Sequence, residues 1–159
     1  MGRSFKHWRN MIDIALSLVL SIGPMQQPEA IHTRNVMAAR SAADIPRQWE
    51  PFQHCVAARE SGHSYKAQNR SSSAQGKYQF LDNQWRNGGG WNVYKSLIKH
   101  GYDKPTAKRL LQRLHALPIK QWKPIYQEIL FASVLTSGEG MGWRHWFLAG
   151  SKCNRLVKR

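Results

Sequence analysis

Apolar residues recur at helical spacing in the middle of the chain. Phe52 and Val56 lie four residues apart, and Glu60 continues the same line, so the apolar stripe ends on a carboxylate. Pro51 suits the first turn of a helix, and Gly62 offers a stop. The pattern therefore predicts a helix between Pro51 and Gly62, with Glu60 at its carboxyl end.

Two further helices are predicted downstream. Asp103-Lys104-Pro105 is a start signal, Pro118 ends the segment, and an apolar stripe lies between them at Ala107, Leu110, Leu111 and Leu114. A last helix is predicted from about Lys123 to Thr136, with Pro124 in its first turn and a buried stripe of Ile125, Ile129 and Ala132.

The connecting segments are polar or rich in glycine. A polar loop is predicted over residues 63–74, a glycine loop over 86–90, and a short helix over 92–100. Short helices joined by such loops indicate one predominantly helical domain, which we place at residues 47–157.

The amino terminus has the composition of an export signal. Three basic residues precede an uncharged, largely apolar stretch at 14–22, which is too short for an ordinary membrane span of roughly 20 residues. We predict a signal peptide or uncleaved anchor over residues 1–30, with a core-docking amphipathic helix as the alternative. Residues 31–46 are predicted to be a polar, alanine-containing linker.

Charge is the most unusual property of the composition. The 159 residues include 24 Lys and Arg against nine acids, a formal net charge of +15, while 42% hydrophobic residues exclude a disordered chain. A field of this sign attracts nucleic acid, anionic membrane or anionic cell-wall polymer. Charge alone indicates a class of partner and no activity.

The two cysteines, Cys55 and Cys153, allow two interpretations. A disulfide between them would suit an exported protein and would close almost the whole domain, whereas two free buried thiols would suit a reducing compartment. A zinc site is disfavoured because the chain has no C-x-x-C pair and no H-E-x-x-H spacing. We expect no metal and no cofactor.

The candidate chemistry centres on Glu60. A carboxyl group on a buried helix face is desolvated, which raises its pKa towards the range of a general acid at neutral pH. Downstream, Gly76 allows a close backbone approach or a positive φ, and the amide of Gln79 could bind a sugar hydroxyl or acetamido group. The alternative for Gln79 is a tight turn in which its amide has a structural bond.

These motifs together carry a family resemblance. The run from Cys55 through Glu60-Ser61-Gly62, then a serine-rich loop, Gly76-Lys-Tyr-Gln-Phe and Trp85, resembles the lysozyme-like lytic transglycosylases, above all the resuscitation-promoting-factor type and phage-encoded wall enzymes. The resemblance covers roughly residues 48–155. It implies an α+β, predominantly helical, lysozyme-like fold of the goose-lysozyme type, closed by a disulfide to a late cysteine. The chain departs from it in the position of Cys55, five residues before the glutamate, and in an insertion at 95–123.

The resemblance also implies residue roles. Glu60 would be the general acid and base, and the substrate groove would be formed by Ser61, Gly76, Tyr78, Gln79 and Trp85, with Trp91 as a further wall or core residue. Glu60 would cut the bond between N-acetylmuramic acid and N-acetylglucosamine and leave a 1,6-anhydro end.

Carboxylate number separates this reaction from hydrolysis. A typical glycosidase needs two carboxyl groups, whereas a lytic transglycosylase needs one. Between residues 51 and 102 the only acids are Glu60 and Asp82, and Asp82 has the setting of a helix N-cap. Hydrolysis stays open if folding brings Glu50, Asp82, Glu128 or Glu139 close to Glu60.

The partners expected are peptidoglycan glycan strands and anionic cell-wall polymers, with membrane contact only through an uncleaved amino-terminal segment. Nucleic acid is not expected. The protein is then periplasmic, extracellular or virion-associated. Two rival functions remain: a non-catalytic wall-binding or virion structural protein, and a nucleic-acid-binding protein, which would explain the charge.

Overall fold

The computed structural model describes residues 28–137, 142–148 and 150–157. The chain divides after Ile31, and the unit that begins at His32 is the one described below. The predicted signal segment lies outside the described residues, apart from its last few positions. The described helices are α1 (Pro28–Ala43), α2 (Glu50–Ser61), α3 (Asp82–Lys99), α4 (Lys104–Ala116) and α5 (Pro124–Leu135). The predominantly helical α+β class is confirmed.

A two-stranded antiparallel sheet and four short 3-10 helices complete the fold. Strands β1 (Ala74–Gln75) and β2 (Phe80–Leu81) pair with Ala74 opposite Leu81 and Gln75 opposite Phe80. The 3-10 helices are Arg47–Trp49, Ile119–Gln121, Gly142–Trp146 and Lys152–Leu156.

Helix α1 corrects the prediction of a linker over residues 31–46. Ala38, Ala39 and Ala42 share a buried face, and the buried side chain of Asn35 accepts a hydrogen bond from the Asp103 backbone N–H at 2.7 Å. Alanine has the highest helix propensity and a side chain small enough for close packing. Its low hydrophobicity gave no strong apolar stripe, so the helix was missed.

Helix α2 has the predicted bounds and caps. Gly62 adopts the left-handed conformation at φ 59°, and its N–H donates to the carbonyls of Ala57 and Ala58. Phe52 and Val56 are fully buried. The Glu60 side chain, in contrast, retains 26% exposure, so the stripe leaves the core at its last residue.

Helix α3 corrects the prediction of a glycine loop over 86–90. The helix continues through Gly88-Gly89-Gly90. Two of these glycines lie where a larger side chain would meet a neighbouring helix. A Cβ at Gly90 would lie 2.7 Å from the His115 ring, and one at Gly89 would lie 3.1 Å from Leu130. The glycines therefore permit close packing of α3 against α4 and α5.

Helices α4 and α5 confirm their predictions to within a residue or two at each end. Asp103 caps α4, since its carboxylate accepts a hydrogen bond from the Thr106 N–H at 2.9 Å. Helix α5 lies at the centre of the core, with Ile129, Leu130 and Phe131 fully buried.

A disulfide joins Cys55 of α2 to Cys153 of the last 3-10 helix, with their Cα atoms 5.5 Å apart. The bond favours the disulfide interpretation over free thiols and agrees with export to an oxidising compartment. Within the described ranges, no helix has both the length and the apolar character needed to span a bilayer.

Candidate active site around Glu60

Glu60 lies at the carboxyl end of α2 and forms an ion pair with its neighbour. Arg59 donates to Glu60 Oε1 from Nη2 at 2.5 Å and from Nε at 3.0 Å. The second oxygen, Oε2, receives no hydrogen bond from any residue that the structure describes. One oxygen of the carboxylate is therefore held and the other is open to a ligand.

The carboxyl-terminal segment holds Arg59 in place. Its Nη2 donates to the Trp146 carbonyl at 2.8 Å, and its Nη1 donates to Ser151 Oγ at 2.8 Å. The disulfide from Cys55 to Cys153 ties the same segment to α2. These contacts fix Arg59, which in turn orients Glu60.

Ser61 connects the end of α2 to the β1–β2 turn. Its Oγ donates to the Lys77 carbonyl at 2.7 Å and contacts the Ala57 carbonyl at 3.2 Å. The Ser61 hydroxyl is therefore committed to the protein backbone. This residue was predicted to bind substrate, but in this structure it positions the turn beside Glu60.

Gly76 and Gln79 form that turn, and both have positive φ angles. Gly76 has φ 77°, and a Cβ there would lie 2.4 Å from Gln127 Oε1, so both reasons predicted for glycine at this position are observed. Gln79 has φ 52°, and its amide donates to the Gly76 carbonyl at 3.0 Å. The structural bond considered as the alternative for Gln79 is therefore present.

Tyr78 is not a groove residue, which corrects the sequence prediction. Only 1% of its surface is exposed, and its ring stacks on Phe131 with centroids 4.2 Å apart. Its hydroxyl donates to Glu128 Oε2 at 2.6 Å. Tyr78 and Phe80 enter the core together, while Gln79 between them stays partly exposed.

Glu128 is the centre of a polar network beneath the turn. Its Oε1 accepts from Tyr65 Oη at 2.6 Å and Lys77 Nζ at 2.9 Å, and its Oε2 accepts from Tyr78 Oη and from Gln53 Nε2 at 2.7 Å. All the donors come from parts of the chain distant from α5. The network therefore joins α2, the polar loop and the turn to α5.

The network also changes the protonation of its members. Burial raises the pKa of Tyr78 far above its ordinary value, and the Glu128 charge adds to this effect. Burial also raises the pKa of Tyr65. Burial would lower the pKa of Lys77, but the hydrogen bond and charge of Glu128 outweigh it, so this pKa is raised.

An aromatic wall stands beside Glu60 and includes a residue that sequence reasoning missed. His145 stacks on Phe80 at 5.6 Å between ring centroids and meets the edge of Trp85 at 4.9 Å. Packing desolvates the imidazole and lowers its pKa, while the nearby Glu60 charge acts in the opposite direction. Trp85 is half-buried in this wall. The only sequence signal for His145 was its position between Trp143 and Trp146.

The exposed Trp91 lies elsewhere. Its ring contacts Tyr94 and His115, and 49% of its surface is accessible. The interpretation of Trp91 as a possible wall residue therefore receives no support from its contacts.

Two carboxylates that could have assisted Glu60 are otherwise engaged. Asp82 is 4% exposed; its Oδ1 accepts from the Ile119 N–H at 2.8 Å, and its Oδ2 pairs with Arg86. It is the first residue of α3 and does not cap it, since the N-cap is Leu81. Glu128 is saturated by the four donors described above.

The other two acids considered for hydrolysis are Glu50 and Glu139. Glu50 begins α2, ten residues before Glu60, which corresponds to about 15 Å along a helix axis. Glu139 lies outside the described residues. Within the described ranges, no group of three or more His, Cys, Asp or Glu side chains could hold a metal ion.

Comparison of the chain with protein-family models, with curated proteins and with solved structures found no match.

Proposed function

We propose that the protein cleaves peptidoglycan as a lytic transglycosylase of lysozyme-like fold, with Glu60 as the general acid and base. The observation that carries the proposal is the state of the carboxylates. Glu60 has an open oxygen beside an aromatic wall, whereas Asp82 and Glu128 are occupied by structural bonds. One available carboxylate suits a reaction that needs only one.

In the proposed reaction, Glu60 first protonates the glycosidic oxygen between N-acetylmuramic acid and N-acetylglucosamine. The resulting carboxylate then accepts the proton of the muramic C6 hydroxyl as that oxygen attacks its own anomeric carbon. Oε2 is the oxygen that exchanges these protons, because Arg59 holds Oε1. No water enters the product.

The surroundings of Glu60 suit a saccharide. Trp85 and His145 present ring edges and faces on one side, and such surfaces pack against the apolar faces of sugar rings. The Ser61 hydroxyl holds the turn that carries Gln79 against the end of α2. Packing lowers the pKa of His145, which favours the neutral imidazole, a hydrogen-bond partner that adds no charge.

The disulfide and the charge support a role at the cell wall. A bond between Cys55 and Cys153 persists in oxidising compartments, where peptidoglycan is found. The net charge of +15 would concentrate the enzyme on an anionic wall. Wall attachment through this charge weakens as salt screens it.

The direct test is the substitution Glu60→Gln, assayed by the clearing of purified sacculi. Glu50→Gln is the matched control, because it makes the same chemical change on an exposed residue at the other end of α2. We expect Glu60→Gln to lose at least about a hundredfold in rate, as general acid catalysis contributes roughly 10²–10⁴-fold, and Glu50→Gln to retain the parent rate. Equal rates for Glu60→Gln and the parent protein would refute the assignment.

A further inference from the structure

A trough remote from Glu60 runs between α1, α4 and the start of α5. It consists of two adjoining hollows of about 460 and 640 Å³, which share Tyr102, Thr106 and Tyr126. None of the residues that line either hollow belongs to α2, the β1–β2 turn or the carboxyl-terminal segment. The trough is therefore a surface separate from the proposed active site.

Cations lie in both hollows, and no acid lines either of them. Arg40 and Lys123 line the first, and Arg109 and Arg113 line the second. All four side chains are exposed, and none forms a salt bridge with an acid in the described part of the chain. Asp103, at the start of α4, accepts hydrogen bonds from Thr106 through Oδ2 and pairs with Arg34 through Oδ1 at 4.0 Å, and its charge also acts on Arg109.

The floor between the two cationic ends is aromatic and polar. Tyr102 and Tyr126 line both hollows, and both side chains are half-buried. Such a floor can pack against carbon atoms and bond to hydroxyl groups.

We propose that this trough binds a linear polymer of phosphate groups joined by polyhydroxyl units, of the kind that decorates cell walls. Charges at both ends of one trough fit repeated anions better than a single one. Arg109 and Arg113 are one helical turn apart, about 6 Å along α4, so neighbouring anions can each meet a guanidinium. The disulfide agrees with an oxidising compartment outside the cytosol, which is where such polymers occur. The proposal does not depend on catalysis by Glu60.

The test measures binding of fluorescently labelled poly(glycerol phosphate) by anisotropy at several salt concentrations. The double variant Arg109→Gln/Arg113→Gln is compared with Lys104→Gln/Lys108→Gln. Both remove two exposed cations from α4, but only the first pair lines the trough. We expect the trough variant to bind about tenfold more weakly with its salt slope reduced by about two, and the control to change by less than about threefold.

Three results would overturn the proposal: equal weakening in the two double variants, no binding by the parent protein, or tighter binding of duplex DNA or polygalacturonate than of poly(glycerol phosphate). The Glu60→Gln protein should bind the polymer like the parent. The binding assay tests the trough and the cleavage assay tests the proposed reaction, so either proposal can fail without the other.

Discussion

The Glu128 network offers a stability prediction that can be worked out from the contacts. The substitution Glu128→Ala removes the acceptor for Tyr65, Lys77, Tyr78 and Gln53 at once. Both Glu128 and Lys77 side chains are only 16% exposed, so water cannot readily replace the lost partner. Tyr78 is the most severe case because its hydroxyl lies in the core.

The magnitude follows from two effects. Removing one partner of a buried ion pair costs about 3–5 kcal/mol, because the other charge stays buried without compensation. A buried hydroxyl that loses its acceptor costs about 1–3 kcal/mol, although residual exposure and side-chain movement recover part of both costs. We expect a net loss of about 3–5 kcal/mol in the free energy of unfolding.

The assay is urea unfolding at neutral pH, followed by tryptophan fluorescence and circular dichroism. Glu50→Ala is the control, since an exposed residue outside such a network should change stability by about 0.5 kcal/mol or less. The stability loss of Glu128→Gln should lie between those of Glu128→Ala and Glu50→Ala. Glutamine keeps one acceptor oxygen but places an NH₂ group opposite two donors. A loss below about 1 kcal/mol for Glu128→Ala would refute the reasoning.

Three further predictions concern the same fold. The raised pKa values of Lys77 and Tyr78 mean that the folded state holds these protons more tightly than the unfolded chain, so the urea midpoint should fall as pH rises past about 10; a constant midpoint from pH 7 to 11 would contradict this. Cys153→Ser opens a loop with a sequence separation of 98 and should cost about 4–5 kcal/mol in the chain-entropy model, so unchanged unfolding would argue against it. Gly76→Ala should destabilise the fold by more than about 2 kcal/mol, since strain at positive φ adds to the contact with Gln127. The control Gly101→Ala meets open space and should cost only the strain. Equal losses in thermal unfolding would exclude the packing effect.

Local signals in the sequence were sufficient for some elements. Pro51 and Gly62 bounded α2, and Pro124 began α5, because proline and glycine act through their own backbone geometry. The position of Glu60 at the end of α2 followed from the same signals. These properties depend on near neighbours in the chain, so spacing alone revealed them.

Other elements depend on distant contacts. Gly90 looks like a loop residue until His115 is placed against it, and the alanines of α1 look like linker until the core covers them. The resemblance placed Tyr78 in the groove, and its spacing does not indicate that its partner is Glu128, which is 50 residues away. Sequence spacing carries no direct information about such contacts, since tertiary packing decides them.

Asp82 was the sequence feature most able to overturn the proposed reaction, because it is the acid nearest to Glu60 downstream. Its hydrogen bond to the Ile119 N–H and its pair with Arg86 give it a structural role. The sequence predicted a cap, and the carboxylate does bind a backbone N–H, but from the segment after α4 and not from its own helix.

The central claim is that Glu60 acts without a second carboxylate and without water. Mass spectrometry of the sugar ends released from purified sacculi tests this claim most directly, because an anhydro end and a reducing end differ by one water. We expect 1,6-anhydro-muramic ends from the parent protein and from Asp82→Asn, provided that variant is folded, and release at least about a hundredfold slower from Glu60→Gln. Reducing ends from the parent, or products from Glu60→Gln at the parent rate, would contradict it.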